Sequence, residues 1–127
     1  MFCGSASGVV LPVYVYYKAV HLYDSWTEGG PTGFRYNRSK NGSFNGMIFE
    51  EWFHSVALPY FRKLDKDSPK VLIGDNLSSH ISMKVINECK ENNIRFVLLP
   101  PNSTHLCQPL DAAYFRPLKR SWRKVLD

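Results

Sequence analysis

A chain of 127 residues with 44% hydrophobic and 14% aromatic side chains is one domain's worth of polymer, and those fractions exclude a disordered or low-complexity protein. Sixteen lysines and arginines against eleven aspartates and glutamates leave a formal charge of +5, which favours anionic partners without identifying one. Three cysteines, Cys3, Cys89 and Cys107, are too few and too widely spaced for a disulfide framework, so a reducing intracellular setting is expected.

Residues 3–8 are small and rich in glycine and serine, as in a turn. From Val9 to Ala19 the abundance of valine and tyrosine predicts one or two buried strands, with Pro12 marking an edge or a bulge. That run is far below the roughly 20 residues a membrane helix needs. It also lacks the preceding basic segment of a signal peptide, so a soluble, non-secreted protein with no membrane partner is expected. Glycines, Pro31 and polar residues from His21 to Asn41 predict mostly loop. Ser43 is the predicted cap of a long helix through about Leu64, because Ile48, Trp52, Val56, Tyr60 and Leu64 recur at every fourth position. Pro59 is expected to kink that helix or end it early. The aromatic stripe reads as core rather than as a base-stacking platform.

After a turn at Asp65–Pro69, the apolar run Lys70–Gly74 predicts a buried strand that ends on Asp75 and Asn76. Ser82 would cap a helix to about Asn92, with Met83, Ile86, Cys89 and Lys90 on one side, and Ile94–Leu99 a second strand. Strand, crossover helix and strand of this length form a βαβ unit with parallel neighbours and a right-handed connection, whose chemistry sits at the carboxyl edge. The loop PPNSTHLCQPLD follows, in which Pro109 prepares a helix start and Asp111 falls in the first turn. Two carboxylates brought to one sheet edge suit a hard divalent cation such as Mg²⁺. Each also has an ordinary reading, Asp75 as a cap or Asx turn and Asp111 as an acid stabilising a helix start. His80, His105 and Cys107 lack finger-like spacing, so zinc is not expected. Arg116, Lys119, Arg120, Arg123 and Lys124 interleave with Phe115, Leu118 and Trp122 on the last predicted helix. Such a run is either a solvated amphipathic face or a phosphate-contacting one, and both can hold at once.

The segments DN…SSH, LLPPNSTHLCQPLD and FRPLK, with CGSASGVVLPVYVYYKA and FEEWF before them in the same order, closely resemble the catalytic core of the pogo-like transposases. These are the Tigger and jerky relatives within the DDE superfamily. The resemblance covers nearly the whole chain, so residues 1–127 are expected to form one partial DDE endonuclease domain. It implies an α/β, RNase H-like mixed sheet with flanking helices and its first strand missing. Asp75 and Asp111 would be the second and third catalytic carboxylates and Mg²⁺ or Mn²⁺ ligands, with Asn76, His80, His105 and Gln108 shaping the metal edge. The family's first carboxylate lies upstream of the CGSASG region, where this chain has only Met1 and Phe2, so little or no cleavage by this polypeptide alone is expected. The family uses two metal ions to activate water, and later a DNA 3′-hydroxyl, for attack on a phosphodiester. DNA, further transposase subunits and the nucleus are the implied partners and location. The other reading is a domesticated, non-catalytic remnant that binds DNA or a protein.

Overall fold

In the computed structural model, which describes residues 1–42, 44–75, 81–100, 103 and 108–126, the segment FEEWF lies at the centre of the core. Phe49, Trp52 and Phe53 are all buried there. Their helix, α1 (Gly46–Trp52), starts at Asn45, whose side-chain oxygen accepts the Ile48 N–H at 3.0 Å. Asn45 is therefore the cap, two places beyond the expected Ser43, which lies outside the described residues. The helix continues through a π turn, Phe53–Ala57, into α2 (Leu58–Arg62).

Of the two outcomes expected at Pro59, the helix does not end there but continues through the π turn just before it. The Leu58 N–H reaches back five residues to the Phe53 carbonyl. That wider turn opens the ladder where a proline lacks its N–H and would crowd the carbonyl four places earlier. The extra residue also rotates everything beyond it. Phe61 is buried instead of Tyr60, and Leu64, expected on the stripe, is exposed.

β1 (Tyr14–Lys18) pairs in parallel with β2 (Arg35–Ser39), Tyr14 opposite Arg35 and Lys18 opposite Ser39. Pro12 sits just before β1, between Leu11 and Tyr14, whose N–H groups donate to Cys3 O at 2.9 Å and Met1 O at 3.1 Å. Val9 and Val10 are exposed rather than buried. β2 falls where loop was expected. Its crossover folds onto the outer face of the pair, with Tyr17 and Trp26 rings 5.0 Å apart and the Tyr36 hydroxyl against Gly30. A Cβ at Gly30 would come within 1.8 Å of that oxygen, so any larger residue there would have to displace the Tyr36 ring.

β3 (Lys70–Gly74), α3 (Met83–Glu91) and β4 (Ile94–Leu98) form the expected parallel βαβ unit, with Lys70 opposite Ile94 and Gly74 opposite Leu98. Ser82 caps α3 by accepting the Val85 N–H at 3.3 Å. α3 buries Val85 and Cys89, whereas Met83 and Lys90, expected on the buried side, are exposed. Leu72 and Ile94 face the core, and Val71, Ile73 and Val97 face outward. At the amino edge the buried Lys70 ammonium donates to the carbonyls of Ser68 at 3.0 Å, Lys66 at 3.3 Å and Asn92 at 3.4 Å.

The architecture is thus mixed α/β, as the sequence implied. Among the described residues the strands make two two-stranded parallel ladders, and one core joins them around α1 and α2. No helix among those residues is long and apolar enough to cross a membrane.

Candidate metal edge and nucleic-acid interface

Asp75 follows β3 at the carboxyl edge of the β3–β4 ladder and is half-buried. The Leu99 N–H donates to Gly74 O at 2.9 Å, so the two strands end level and the chain leaves both from the same edge. This is the edge where a parallel sheet collects its chemistry. Asn76, His80 and His105, the sequence's other candidates here, lie outside the described residues.

Gln108 and Asp111 arrive on the far side of the PPNSTHLCQPLD loop. The Asp111 N–H donates to the Gln108 carbonyl at 3.2 Å, and both side chains are half-buried. Gln108 Oε1 is buried without a hydrogen-bond partner among the described residues. A buried amide oxygen in that condition is open to a water or a cation. Asp111 begins a second π turn, Asp111–Phe115, and its carbonyl accepts the Arg116 N–H directly ahead of Pro117. The arrangement repeats the one before Pro59. The turn is fastened by the start of the chain: Phe2 packs its ring 5.7 Å from Tyr114 and 5.4 Å from Phe115, and Gly4 lies beside Leu110.

From there α4 (Arg116–Leu126) runs out with no buried residue. At 100° per residue, Arg116, Lys119, Arg120, Arg123 and Lys124 occupy one arc, and Leu118, Trp122, Val125 and Leu126 a second arc that adjoins it between Leu126 and Lys119. All five cations are exposed, and none makes an ion pair among the described residues.

Glu50 was not singled out from the sequence, yet it ties the start of α3 to α1. Its carboxylate meets Lys84 Nζ at 2.9 Å and accepts Ser82 Oγ at 2.9 Å, and these contacts hold its pKa below the usual carboxylate value. The neighbouring Glu51 accepts from Asn37, which also donates to the Tyr14 hydroxyl at 2.9 Å. Burial, helped by Glu51 and opposed by the Asn37 bond, pushes the Tyr14 phenol up to about 12. The only sequence signal for either role was a pair of acids inside an otherwise apolar stripe.

Two carboxylates and an amide oxygen are hard donors of the kind Mg²⁺ and Mn²⁺ take. Among the described residues no three His, Cys, Asp or Glu side chains cluster.

The family model described as DDE superfamily endonuclease matches residues 1–126. The chain is 34% identical over 124 residues to a Cochliobolus lunatus protein named MFS-type transporter clz9, covering 97% of this chain and 13% of that protein. To the Jerky protein of Mus musculus it is 28% identical over 106 residues, covering 72% of this chain and 18% of that protein. The chain thus spans less than a fifth of either relative. No solved structure matches.

Proposed function

The chain belongs to the DDE superfamily endonucleases, in a pogo/Tigger-like, Jerky-related branch, and from this we propose that it binds DNA in the nucleus beside a Mg²⁺- or Mn²⁺-binding edge built on Asp75 and Asp111. In this reading the two ladders belong to an RNase H-like sheet. Asp75 and Asp111 hold the ion, and Asn76, His80, His105 and Gln108 orient those carboxylates and the water around them. An ion held there would supply the charge stabilisation on which the family's ancestral reaction, phosphodiester hydrolysis and strand transfer, depends. The arc of Arg116, Lys119, Arg120, Arg123 and Lys124 grips phosphates, fixing the position of DNA without reading its sequence. Assembly with further transposase subunits belongs to the same proposal.

The observation that carries the reading is the position of Asp75, at the carboxyl edge of a parallel βαβ unit whose following loop leads to Asp111. Its test is Mn²⁺ binding to the full chain, followed by electron paramagnetic resonance or calorimetry. Asp75→Asn and Asp111→Asn should each weaken binding by roughly tenfold or more. Unchanged affinity in both would remove the metal edge from the account.

A second reading, a domesticated DNA- or protein-binding module without catalysis, is favoured by α4, whose basic arc is exposed independently of the carboxylates. Under it, DNA binding survives chelation of divalent ions undiminished, and no metal-dependent nicking accompanies it.

A further inference from the structure

We propose that the aromatic cluster on the outer face of the β1–β2 ladder binds single-stranded DNA, stacking unpaired bases on Trp26 and Tyr23 while Lys18, Arg38 and Lys40 contact the strand's phosphates. The crossover between the two strands builds the cluster. Asp24–Trp26 form a 3₁₀ turn, closed by the Trp26 N–H on Tyr23 O at 3.0 Å. The Thr27 N–H and hydroxyl both donate to Asp24 O at 2.9 Å. From β1, the Tyr17 hydroxyl donates to Trp26 O at 3.1 Å and pins the turn to the ladder. The Trp26 ring then lies 5.0 Å from both Tyr17 and Tyr23, inclined at 45° and 68° to them. Neither pair is stacked flat, and ring surface stays in solvent: Trp26 is 39% exposed and Tyr23 55%. The rings are thus held in place without being buried, which spares a stacking ligand the entropy of ordering them.

Cations flank the rings. Alternation along β2 sends Asn37 and Ser39 inward, where Asn37 reaches the Tyr14 hydroxyl and Ser39 is buried, and leaves Tyr36 and Arg38 on the outer face. Arg38 is the residue opposite Tyr17 in the register, so it stands beside the cluster. Lys40 continues the outward set, at the end where the Ala19 N–H donates to Ser39 O at 3.0 Å. Lys18 lies at the same end with its stem over Gly42, where an added Cβ would come within 2.9 Å of it. All three cations are exposed and none makes an ion pair among the described residues. They outnumber the two acids of the crossover, Asp24 and Glu28.

This combination selects the occupant. An apolar partner would strand Arg38 and Lys40 in a dry contact, which unpaired charges resist. A duplex offers phosphates but keeps its bases stacked inside, out of reach of the rings. An unpaired strand offers both, base faces for the rings and phosphates for the cations. That the strand is DNA rather than RNA rests on the function proposed above; the site itself uses neither the carboxylates nor α4.

Tryptophan emission of the full chain carrying Trp122→Phe tests this, because Trp52 is buried and Trp26 is then the exposed indole that remains. With a chelator present, an oligothymidine of about ten residues should quench that emission saturably, and a duplex of equal length should not. Trp26→Ala should weaken single-strand binding, followed by anisotropy of the labelled strand, roughly fivefold to a hundredfold. Arg38→Gln should lower its salt slope by about 0.7. Both should leave duplex binding as it was. If Trp26→Ala disturbs the fold, Tyr23→Ala replaces it on the same platform. Loss of duplex binding with the quench intact would refute phosphate contact by α4 and leave this site standing. Emission indifferent to the oligothymidine, equal quenching by the duplex, single-strand affinity unmoved by the ring substitutions, or tighter binding of an oligouridine RNA overturns the proposal.

Discussion

Replacing Arg120 and Arg123 together by glutamine should flatten the salt dependence of duplex binding. The basic arc from Arg116 to Lys124 covers about 12 Å of helix axis at 1.5 Å per residue. DNA presents a phosphate roughly every 3.4 Å along one strand, so about three phosphates can be neutralised at once. Each contributes a slope of about −0.9, for a total near −2.7, and raising salt from about 50 to about 200 mM should weaken binding roughly 40-fold. Arg116, Lys119 and Lys124 remain after the double substitution, so at most two of these contacts are lost: the slope falls toward about −0.9, and the same change in salt costs less than the roughly 40-fold above, with about three- to fourfold as the floor. Fluorescence anisotropy of a labelled duplex, with a chelator present, measures both slopes. The substituted positions are exposed and make no ion pair among the described residues, so the fold is not at stake. A wild-type slope near zero, or one that the double substitution leaves unchanged, would refute phosphate contact by this arc.

Other outcomes follow from the interior. Lys70→Met leaves three carbonyls without their shared donor; it should cost about 2–3 kcal/mol and lower the melting temperature by roughly 10 °C, and an unchanged melt would show the cage to be inconsequential. Glu50 has a carboxyl held below its ordinary 4.5 by Lys84 and Ser82. Such a group contributes stability above that value and loses it as pH falls through the folded-state pKa. Thermal stability of the wild type should thus decline below pH 4.5 more steeply than that of Glu50→Gln, and parallel curves would refute the tie. Tyr14 behaves oppositely. Its raised phenol stabilises the fold fully below pH 10, and that contribution is lost as pH climbs toward 12. An absorbance titration should show one of the seven tyrosines ionising last, and Tyr14→Phe should remove that component; seven equivalent titrations near pH 10 would contradict this.

The βαβ unit was legible because each signal was local: an apolar run ending on Gly74 and Asp75, a serine cap at Ser82, and a second apolar run from Ile94. β2 was illegible for the opposite reason. Its sequence, RYNRS, shows no apolar alternation, and it becomes a strand through pairing with β1 and through bonds such as Asn37 to Tyr14. Met83 was misplaced because helical spacing leaves the phase of a short helix open, whereas the Ser82 cap and the burial of Val85 settle it. Asp75 and Asp111 sit at a strand end and in a helix's first turn, as the sequence suggested. Asn76, His80 and His105 fall outside the described residues. Glu50 escaped notice because its partners, Ser82 and Lys84, come from an element far along the chain.

The π turn at Phe53–Ala57 makes the central helix a counted object. A π turn holds one residue more than the α-helical turn it replaces, so Phe61 takes the place beside the core that an unbroken α-helix from Ile48 would give Tyr60. Deleting a single residue there would return the segment to α-helical pitch. It would also press Pro59 against a carbonyl, while Phe61, moved into the place that α-helical pitch gives Tyr60, would still face the core. Substitutions in this stretch are therefore judged by size and polarity alone, whereas a change of length is judged by whether Pro59 is still present. A one-residue deletion should be tolerated better alongside Pro59→Ala than without it.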